Sequence, residues 1–310
     1  MQPTRRRVLE ALADGPVTGP SLADDLGVSR AAIWKHVEAL REAGFAIEDS
    51  GDGYVLEAVP EYGGAAIEYG LDAAFDVEFH DELDSTNARA RTLAGGGAEN
   101  VVVVAAHQTG GRGRLDREWS SPEGGIYASL VIRPDVPPAS APAYTLAAAV
   151  AVAETAREFG VDARIKWPND VLVATEEGEK KLCGILTEME GEADRVSWVV
   201  VGIGINVNVA AADLPETATS VQEQAGAVER RAFLQAVVER FDDLRDDLDA
   251  VLPAWRELAS TLGRDVRVET PGGVVEGIAT DVEFPGTLLV ETDDGTQRVT
   301  TGDCEHLRPR

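Results

Sequence analysis

The chain has 310 residues, 44% of them hydrophobic, and a formal net charge of −27 from 55 acidic and 28 basic side chains. That length accommodates two or three small domains with proper cores. No apolar run reaches the ~18 residues of a membrane span, and Met1 to Arg7 lack a signal peptide's apolar stretch, so a cytoplasmic protein is expected. Cys183 and Cys304, the two cysteines, form neither a zinc spacing nor a disulfide framework. The acids are dispersed along the chain, and only Lys35, Lys166, Lys180 and Lys181 are lysines. Such a surface resembles that of proteins from salt-loving (halophilic) organisms, where salt screens the self-repulsion. An acidic face for basic partners is the alternative.

In chain order, Val8, Leu9 and Leu12 mark one apolar helix face, ended near Asp14-Gly15-Pro16. Ser21 is expected to cap a second helix carrying Leu22, Ala23 and Leu26. Gly27 makes the turn, and Ser29 opens a third helix with Ile33, Val37 and Leu40 at helical spacing. Two short strands, 45–48 and 53–57, joined by Asp49-Ser50-Gly51-Asp52, complete a winged helix-turn-helix over residues 1–60. Ser29, Arg30, Ala31, Trp34 and Lys35 lie off the third helix's core face and are the candidate DNA contacts. Arg5, Arg6 and Arg7 are candidates for phosphate. Six basic against ten acidic residues in this unit leave a net charge of −4, which is not the basic footprint of a DNA binder. A role in assembly or regulation without DNA therefore stays open.

Residues 60–64 read as a linker. Over 61–260 helices and strands alternate: strands at 101–106 and 127–132, an alanine-rich helix at 145–159, strands at 163–167, 184–190 and 197–208, and an amphipathic helix at 232–248. This pattern predicts an α/β domain around one mixed sheet. Over 261–310, short strands at 266–268, 274–279, 288–290 and 297–300 are broken by glycines and predict a small SH3-like β-barrel. The fold class of the whole chain is α+β.

Four segments carry candidate chemistry. Residues 108–119 read Gln-Thr-Gly-Gly-Arg-Gly-Arg-Leu-Asp-Arg-Glu-Trp. Glycines let the backbone approach a ligand, while Arg112, Arg114 and Arg117 supply cationic forks for carboxylate and phosphate oxygens. No Gly-Lys-Ser/Thr follows, which excludes a Walker loop. Asp84-Ser85-Thr86-Asn87 precedes a helical stretch from Ala88 and reads either as a plain N-cap or as a holder for a polar head group. Lys166-Trp167-Pro168-Asn169-Asp170 ends a strand. A lysine there can neutralise a carboxylate and an α-phosphate during adenylyl transfer, and Asn169 and Asp170 can orient phosphates or Mg²⁺. The fourth is the pair 181–188 (Lys-Leu-Cys-Gly-Ile-Leu-Thr-Glu) and 202–208 (Gly-Ile-Gly-Ile-Asn-Val-Asn). The latter lacks the third glycine and opening helix of a Rossmann motif; its glycines admit a flat ligand close to a strand.

Ser85-Thr86-Asn87, the Gly-Arg-Gly-Arg loop ending in Trp119, Lys-Trp-Pro-Asn-Asp, Lys-Leu-Cys-Gly-Ile-Leu and Gly-Ile-Gly-Ile-Asn-Val-Asn, in this order and spacing, resemble the bifunctional biotin–protein ligases over essentially the full length. Leu115-Asp116 departs from the family by interrupting the Arg/Gly run. The resemblance implies a class II synthetase-like central domain that joins biotin and ATP into biotinyl-5′-adenylate and passes biotin to a lysine of a carboxyl carrier protein. It implies biotin contacts at Ser85, Thr86, Asn87, Gln108, Arg112, Gly113, Arg114, Lys166 and Gly184. ATP or adenylate contacts are implied at Arg112, Arg114, Trp119, Lys166, Asn169 and Asn206, with Asp170 as a Mg²⁺ position. Lys166, bridging the biotin carboxylate and α-phosphate, and Arg114, closing over the adenylate, are the expected catalytic residues. The arginine loop is expected to be mobile when empty and ordered when filled. Operator DNA and an adenylate-bound homodimer are the further implied partners. Two competing readings are a lipoate-attaching relative, whose Arg-Arg…Gly-Gly-Gly…His-Asp-x-Gly signature is absent, and a biotin sensor without ligase activity.

Overall fold

The computed structural model describes residues 1–307 apart from Asp52, and Asp116 by its backbone only. Asp52 of the expected wing turn and residues 308–310 of the expected β domain lie outside the described residues. The chain divides into two compact units, Met1–Leu71 and Asp72–Arg310.

In the first unit α1 (Pro3–Ala13), α2 (Gly19–Leu26) and α3 (Arg30–Glu42) are followed by an antiparallel hairpin of β1 (Ala46–Ser50) and β2 (Gly53–Ala58), then by α4 (Gly64–Glu68). Val8, Leu9, Leu12, Leu22, Ile33, Val37 and Leu40 form one buried cluster with Phe45, just before the hairpin, and Ile47 within it. This is the expected winged helix-turn-helix. Thr18, not Ser21, caps α2: its Oγ1 accepts the Ser21 N–H at 3.2 Å. Pro20 then falls in the first turn, where its missing N–H costs nothing. Gly27 ends α2 at φ 65°, in the left-handed region that glycine adopts without penalty. Ser29 caps α3 as expected, accepting from the Ala32 N–H at 3.2 Å. The stretch after Pro60 is no free tether, because Ala65 and Tyr69 pack on the same core and Tyr69 meets Phe45 edge-on at 6.2 Å.

The second unit runs β3 (Asp76–Leu83), α5 (Thr86–Gly95), β4 (Val101–Gln108), β5 (Ile126–Ile132), α6 (Pro142–Glu158), β6 (Ala163–Lys166), β7 (Asp170–Thr175), β8 (Gly178–Gly191), β9 (Val196–Ile205), α7 (Val221–Ala225), α8 (Arg230–Asp246) and α9 (Leu248–Leu258). The seven strands lie in the order β3-β4-β5-β9-β8-β7-β6. Only β3 and β4 are parallel, so the sheet is mixed. Every residue of β5 is buried, as a central strand covered on both faces requires. Adjacent residues of β8 show the two covers. Glu188 accepts from Asn87 and Arg91 of α5, while the Thr187 hydroxyl accepts from Thr145 of α6; successive side chains point to opposite faces.

The chain then forms a five-stranded antiparallel sheet of β10 (Asp265–Thr270), β11 (Gly273–Glu283), β12 (Thr287–Thr292), β13 (Gly295–Val299) and β14 (Asp303–His306), in the order β13-β12-β11-β10-β14. Val266, Val268, Ala279, Val282, Leu288 and Val290 are fully buried within it. Among the described residues no helix is long and apolar enough to cross a membrane.

Candidate functional site

The helix α5 begins two residues earlier than the sequence suggested, so Ser85 is its N-cap, with its Oγ accepting from the Ala88 N–H at 3.4 Å. Thr86 and Asn87 therefore sit in its first turn, at the carboxyl end of β3. Gln108, at the end of β4, accepts from the Thr86 N–H at 2.8 Å and hydroxyl at 3.1 Å, and donates to Ser121 Oγ at 3.1 Å. Buried Ser129 on β5 lies 2.8 Å from Thr86 Oγ1 and 2.6 Å from Asn87 Oδ1. Asn87 Nδ2 donates to Glu188 Oε2 at 2.8 Å and Leu186 O at 3.3 Å. Thr86 and Asn87 thus use most of their polar capacity in fixing this end of the site.

The loop leaves β4 by extending the β3 ladder: Thr109 N–H bonds Leu83 O at 2.9 Å and Gly110 N–H bonds Asp84 O at 2.8 Å. A Cβ at Gly110 would meet the exposed Asp84 carboxylate, which would have to swing away. The loop then folds on itself, Gly113 N–H reaching Arg117 O at 2.7 Å and Trp119 N–H reaching Gly111 O at 3.0 Å. Leu115 takes φ 57°, a left-handed conformation that costs a non-glycine residue about 1–3 kcal/mol.

Two arginines of the loop engage the C-terminal sheet. Arg114 donates to Asn169 Oδ1 at 3.0 Å and to Gly302 O at 2.7 Å. Burial pushes its pKa down, and the Asp303 and Asp170 carboxylates oppose that. Arg117 pairs with Asp303, which raises the arginine's pKa. Arg112 stays exposed and bonds Gly111 O at 3.2 Å.

These parts enclose a cavity of about 300 Å³. Ser85, Thr86, Asn87, Gln108, Arg112, Gly113, Arg114, Trp119, Asn169, Asp170, Gly184 and Asn206 all line it, along with Lys181, Leu214, Pro215 and Asp303. Gly184 on β8 and Gly204 on β9 are direct cross-strand partners. Trp119 rests on both: a Cβ would meet its ring at 2.8 Å from Gly184 and at 2.7 Å from Gly204. Its buried indole Nε1 has no hydrogen-bond partner among the described residues. The two glycines thus leave a flat floor on which the Trp119 ring lies. Buried Asn206 spends its amide on Thr219 O at 3.0 Å and Lys181 O at 3.4 Å, holding the strand that carries Lys181.

Lys166 is the candidate the structure places elsewhere. It ends β6 opposite Asp170, is absent from the cavity wall, and lies close enough to Cys304 and His306 to shift their pKa values. The lysine in the cavity is Lys181, with Nζ 2.7 Å from Asp170 Oδ1 and 5.3 Å from the centre of the Trp119 ring. The strand β7 explains the exchange. The chain turns back after Lys166, and β8 then pairs with β7, bringing Lys181 to the face on which Asp170 opens. Asp170 stands outside any cluster of three potential metal ligands, none of which occurs among the described residues.

In the winged helix, Arg30, Ala31, Trp34 and Lys35 are all exposed on one side of α3, with Trp34 54% exposed, while Ser29 serves as its cap.

Fold and site together define a protein ligase joined to a helix-turn-helix domain. Residues 84–206 match the Biotin/lipoate A/B protein ligase family, residues 261–307 the Biotin protein ligase C terminal domain, and residues 4–61 an HTH domain. The chain is 38% identical to the Bifunctional ligase/repressor BirA of Bacillus subtilis across 93% of each chain. It is 31% identical to that of Escherichia coli, across 93% of this chain and 92% of the relative. The structure of the biotin protein ligase from Aquifex aeolicus in complex with biotin and ATP superposes with a TM-score of 0.63 at 28% identity, covering 74% of this chain and 99% of that one. The chain belongs to the bifunctional ligase/repressor BirA family.

Proposed function

We propose that this protein activates biotin with ATP and transfers it to a lysine of a biotin carboxyl carrier protein, and that its winged helix binds operator DNA. One observation carries the catalytic half: the Lys181 ammonium and the Arg114 guanidinium converge on one cavity whose far end is the Thr86–Gln108–Ser129 network. A biotin carboxylate oxygen attacks the α-phosphorus of ATP and pyrophosphate leaves. Lys181, rather than Lys166, neutralises the carboxylate and α-phosphate as charge builds, an effect strongest in a site that excludes water. Arg114 and Arg112 close over the mixed anhydride and shield it from hydrolysis. The amine of the acceptor lysine then attacks the biotinyl carbonyl and AMP departs.

Trp119 stacks on the adenine from the glycine floor. The Asp170 carboxylate suits a Mg²⁺ that travels with the nucleotide, since such an ion keeps several waters and needs only one or two protein oxygens. It would neutralise phosphate charge at that wall. The acidic surface suits concentrated salt, the site of action is the cytoplasm, and adenylate favours a two-fold dimer matched to a two-fold operator. Of the DNA contacts, Arg30 and Lys35 reach phosphate or base edges, and Trp34 packs against the groove.

Biotin-dependent ATP–pyrophosphate exchange, run in molar KCl and in dilute buffer, tests this reading. Exchange that requires biotin supports it. Folded protein that binds biotin but exchanges no pyrophosphate in either buffer would leave only the sensor.

A further inference from the structure

His306, the last residue of β14, closes a ring of interactions around the cavity lysine. The Trp167 N–H donates to Thr261 Oγ1 at 2.9 Å, and that oxygen lies 3.0 Å from His306 Nε2. The other ring nitrogen, Nδ1, lies 2.9 Å from Glu179 Oε2. Since Thr261 Oγ1 already accepts from Trp167, its own proton is free for Nε2. His306 is then assigned as neutral and protonated at Nδ1, donating to Glu179 at 2.9 Å, with Arg264 Nη1 3.4 Å from the same nitrogen. Glu179 stands two residues before Lys181 on β8. Trp167 stands two residues before Asn169, whose amide holds Arg114 and Ile185 O, and three before Asp170, which pairs with Lys181. The path from Glu179 through His306, Thr261 and the Trp167 turn thus returns to Lys181.

We propose that His306 is a positioning residue for adenylate formation: its neutral imidazole, through Thr261, locks the Trp167–Asp170 turn to the strand bearing Lys181, and its protonation loosens that turn. The reaction it serves is the one given under Proposed function. A doubly protonated ring offers no acceptor, so the Thr261 hydroxyl proton loses its acceptor and the new Nε2–H competes with the Trp167 N–H for Thr261 Oγ1, in a buried setting where an unmade hydrogen bond is costly. The charged groups facing the ring are Glu179 from β8, Lys166 from β6 and Arg264 from the segment before β10, with Glu305 beside it on β14. Burial is the main influence holding the ring's pKa below its ordinary value. Lys166 and Arg264 add to it, and Glu179 pulls the other way. The native state therefore binds this proton less readily than the unfolded chain, and the interaction, present at neutral pH, is lost only as pH falls below the ordinary imidazole range.

The test uses the full chain and two readouts: hydrogen exchange of the Trp167 amide, and biotin-dependent pyrophosphate exchange, both from about pH 5 to about pH 8.5. In the wild type, Trp167 protection and kcat/KM for ATP should fall together on the acid side. In His306→Gln, whose amide can accept from Thr261 and donate to Glu179 at every pH, the acid limb should disappear while the rate at alkaline pH stays within about twofold. In His306→Leu and Thr261→Val, Trp167 protection should drop about tenfold at all pH, as losing one buried hydrogen bond predicts, with KM for ATP rising and biotin affinity unchanged. An acid limb retained in His306→Gln, or Trp167 protection unchanged in His306→Leu, would overturn the proposal. A wild type without pyrophosphate exchange would instead sink the ligase reading, and the amide data would still decide the link between His306 and the turn.

Discussion

Lys181 Nζ meets Asp170 Oδ1 at 2.7 Å, although Asp170's own ladder partner is Lys166. Lys166 thus faces Asp170 only through the backbone ladder, whereas Lys181 bonds its carboxylate and lines the cavity. Lys181→Ala should lower biotin-dependent pyrophosphate exchange by about 10²–10³-fold, the usual cost of a lost transition-state contact. Lys166→Ala should stay within about tenfold of wild type. The reverse order in a side-by-side exchange assay would return the role to Lys166.

Arg114 should matter more for keeping the adenylate than for making it. Its guanidinium bridges Asn169 and Gly302 O, so it fastens the loop over the cavity from both sides. Arg114→Ala should still form biotinyl-adenylate but release it to solvent, detected as free adenylate or as biotinylation of bystander amines. Release at the wild-type rate would exclude the fastening role.

What the sequence made legible followed from strong local signals. Ile33, Val37 and Leu40 have helical spacing, and β5, apolar apart from Tyr127 and Ser129, read as a strand. The loop glycines and arginines were equally plain. What it hid depended on pairing. The β3 strand lies at a sheet edge, and its alternation of Val77 and Phe79 with Asp76, Glu78 and His80 is cut short by Asp81 and Glu82, too brief a signal to announce it. The β14 strand is four residues long and becomes a strand only beside β10. The choice between Lys166 and Lys181 turned on β7, a short strand that reverses the chain between them. No one-dimensional motif records which lysine a hairpin turns inward. Trp119 above Gly184 and Gly204 was likewise foreseeable as an aromatic near glycines, but their cross-strand pairing needed the register.

That floor gives a third prediction. A methyl at Gly204 would meet the Trp119 ring at 2.7 Å, and overpacking of this kind typically costs about 1–3 kcal/mol. Because Trp119 is only half-buried, the ring can be pushed aside without unfolding the sheet. Gly204→Ala should therefore raise KM for ATP about tenfold or more, with the thermal midpoint shifted by a few degrees at most. A large drop in the midpoint with unchanged KM would make the glycine structural alone.

The thiols should be silent in the folded protein. Burial raises the pKa of Cys183 far beyond its ordinary range and that of Cys304 to about 11, and the thiolate is the reactive form. Iodoacetamide at neutral pH should label neither until denaturant is added. Rapid labelling of Cys304 in native protein would mean that β14 opens.

Salt should separate the two ties between the loop and the C-terminal sheet. Arg117 and Asp303 are 65% and 36% exposed, and an ion pair so placed is worth about 0.2–1 kcal/mol and is screened by salt. The Arg114–Gly302 bond is largely shielded from solvent and has a neutral acceptor, so salt acts on it weakly. Meanwhile a net charge of −27 repels itself in dilute buffer and is screened in concentrated KCl. Three results follow from these signs. The thermal midpoint of the wild type should rise from dilute buffer to molar KCl. Asp303→Ala should speed adenylate release in dilute buffer, where the pair contributes. In molar KCl the same variant should match the wild type, whereas Arg114→Ala should leak in both. An Asp303→Ala effect that grew with salt would mean that the carboxylate acts on the nucleotide side of the cavity rather than through Arg117.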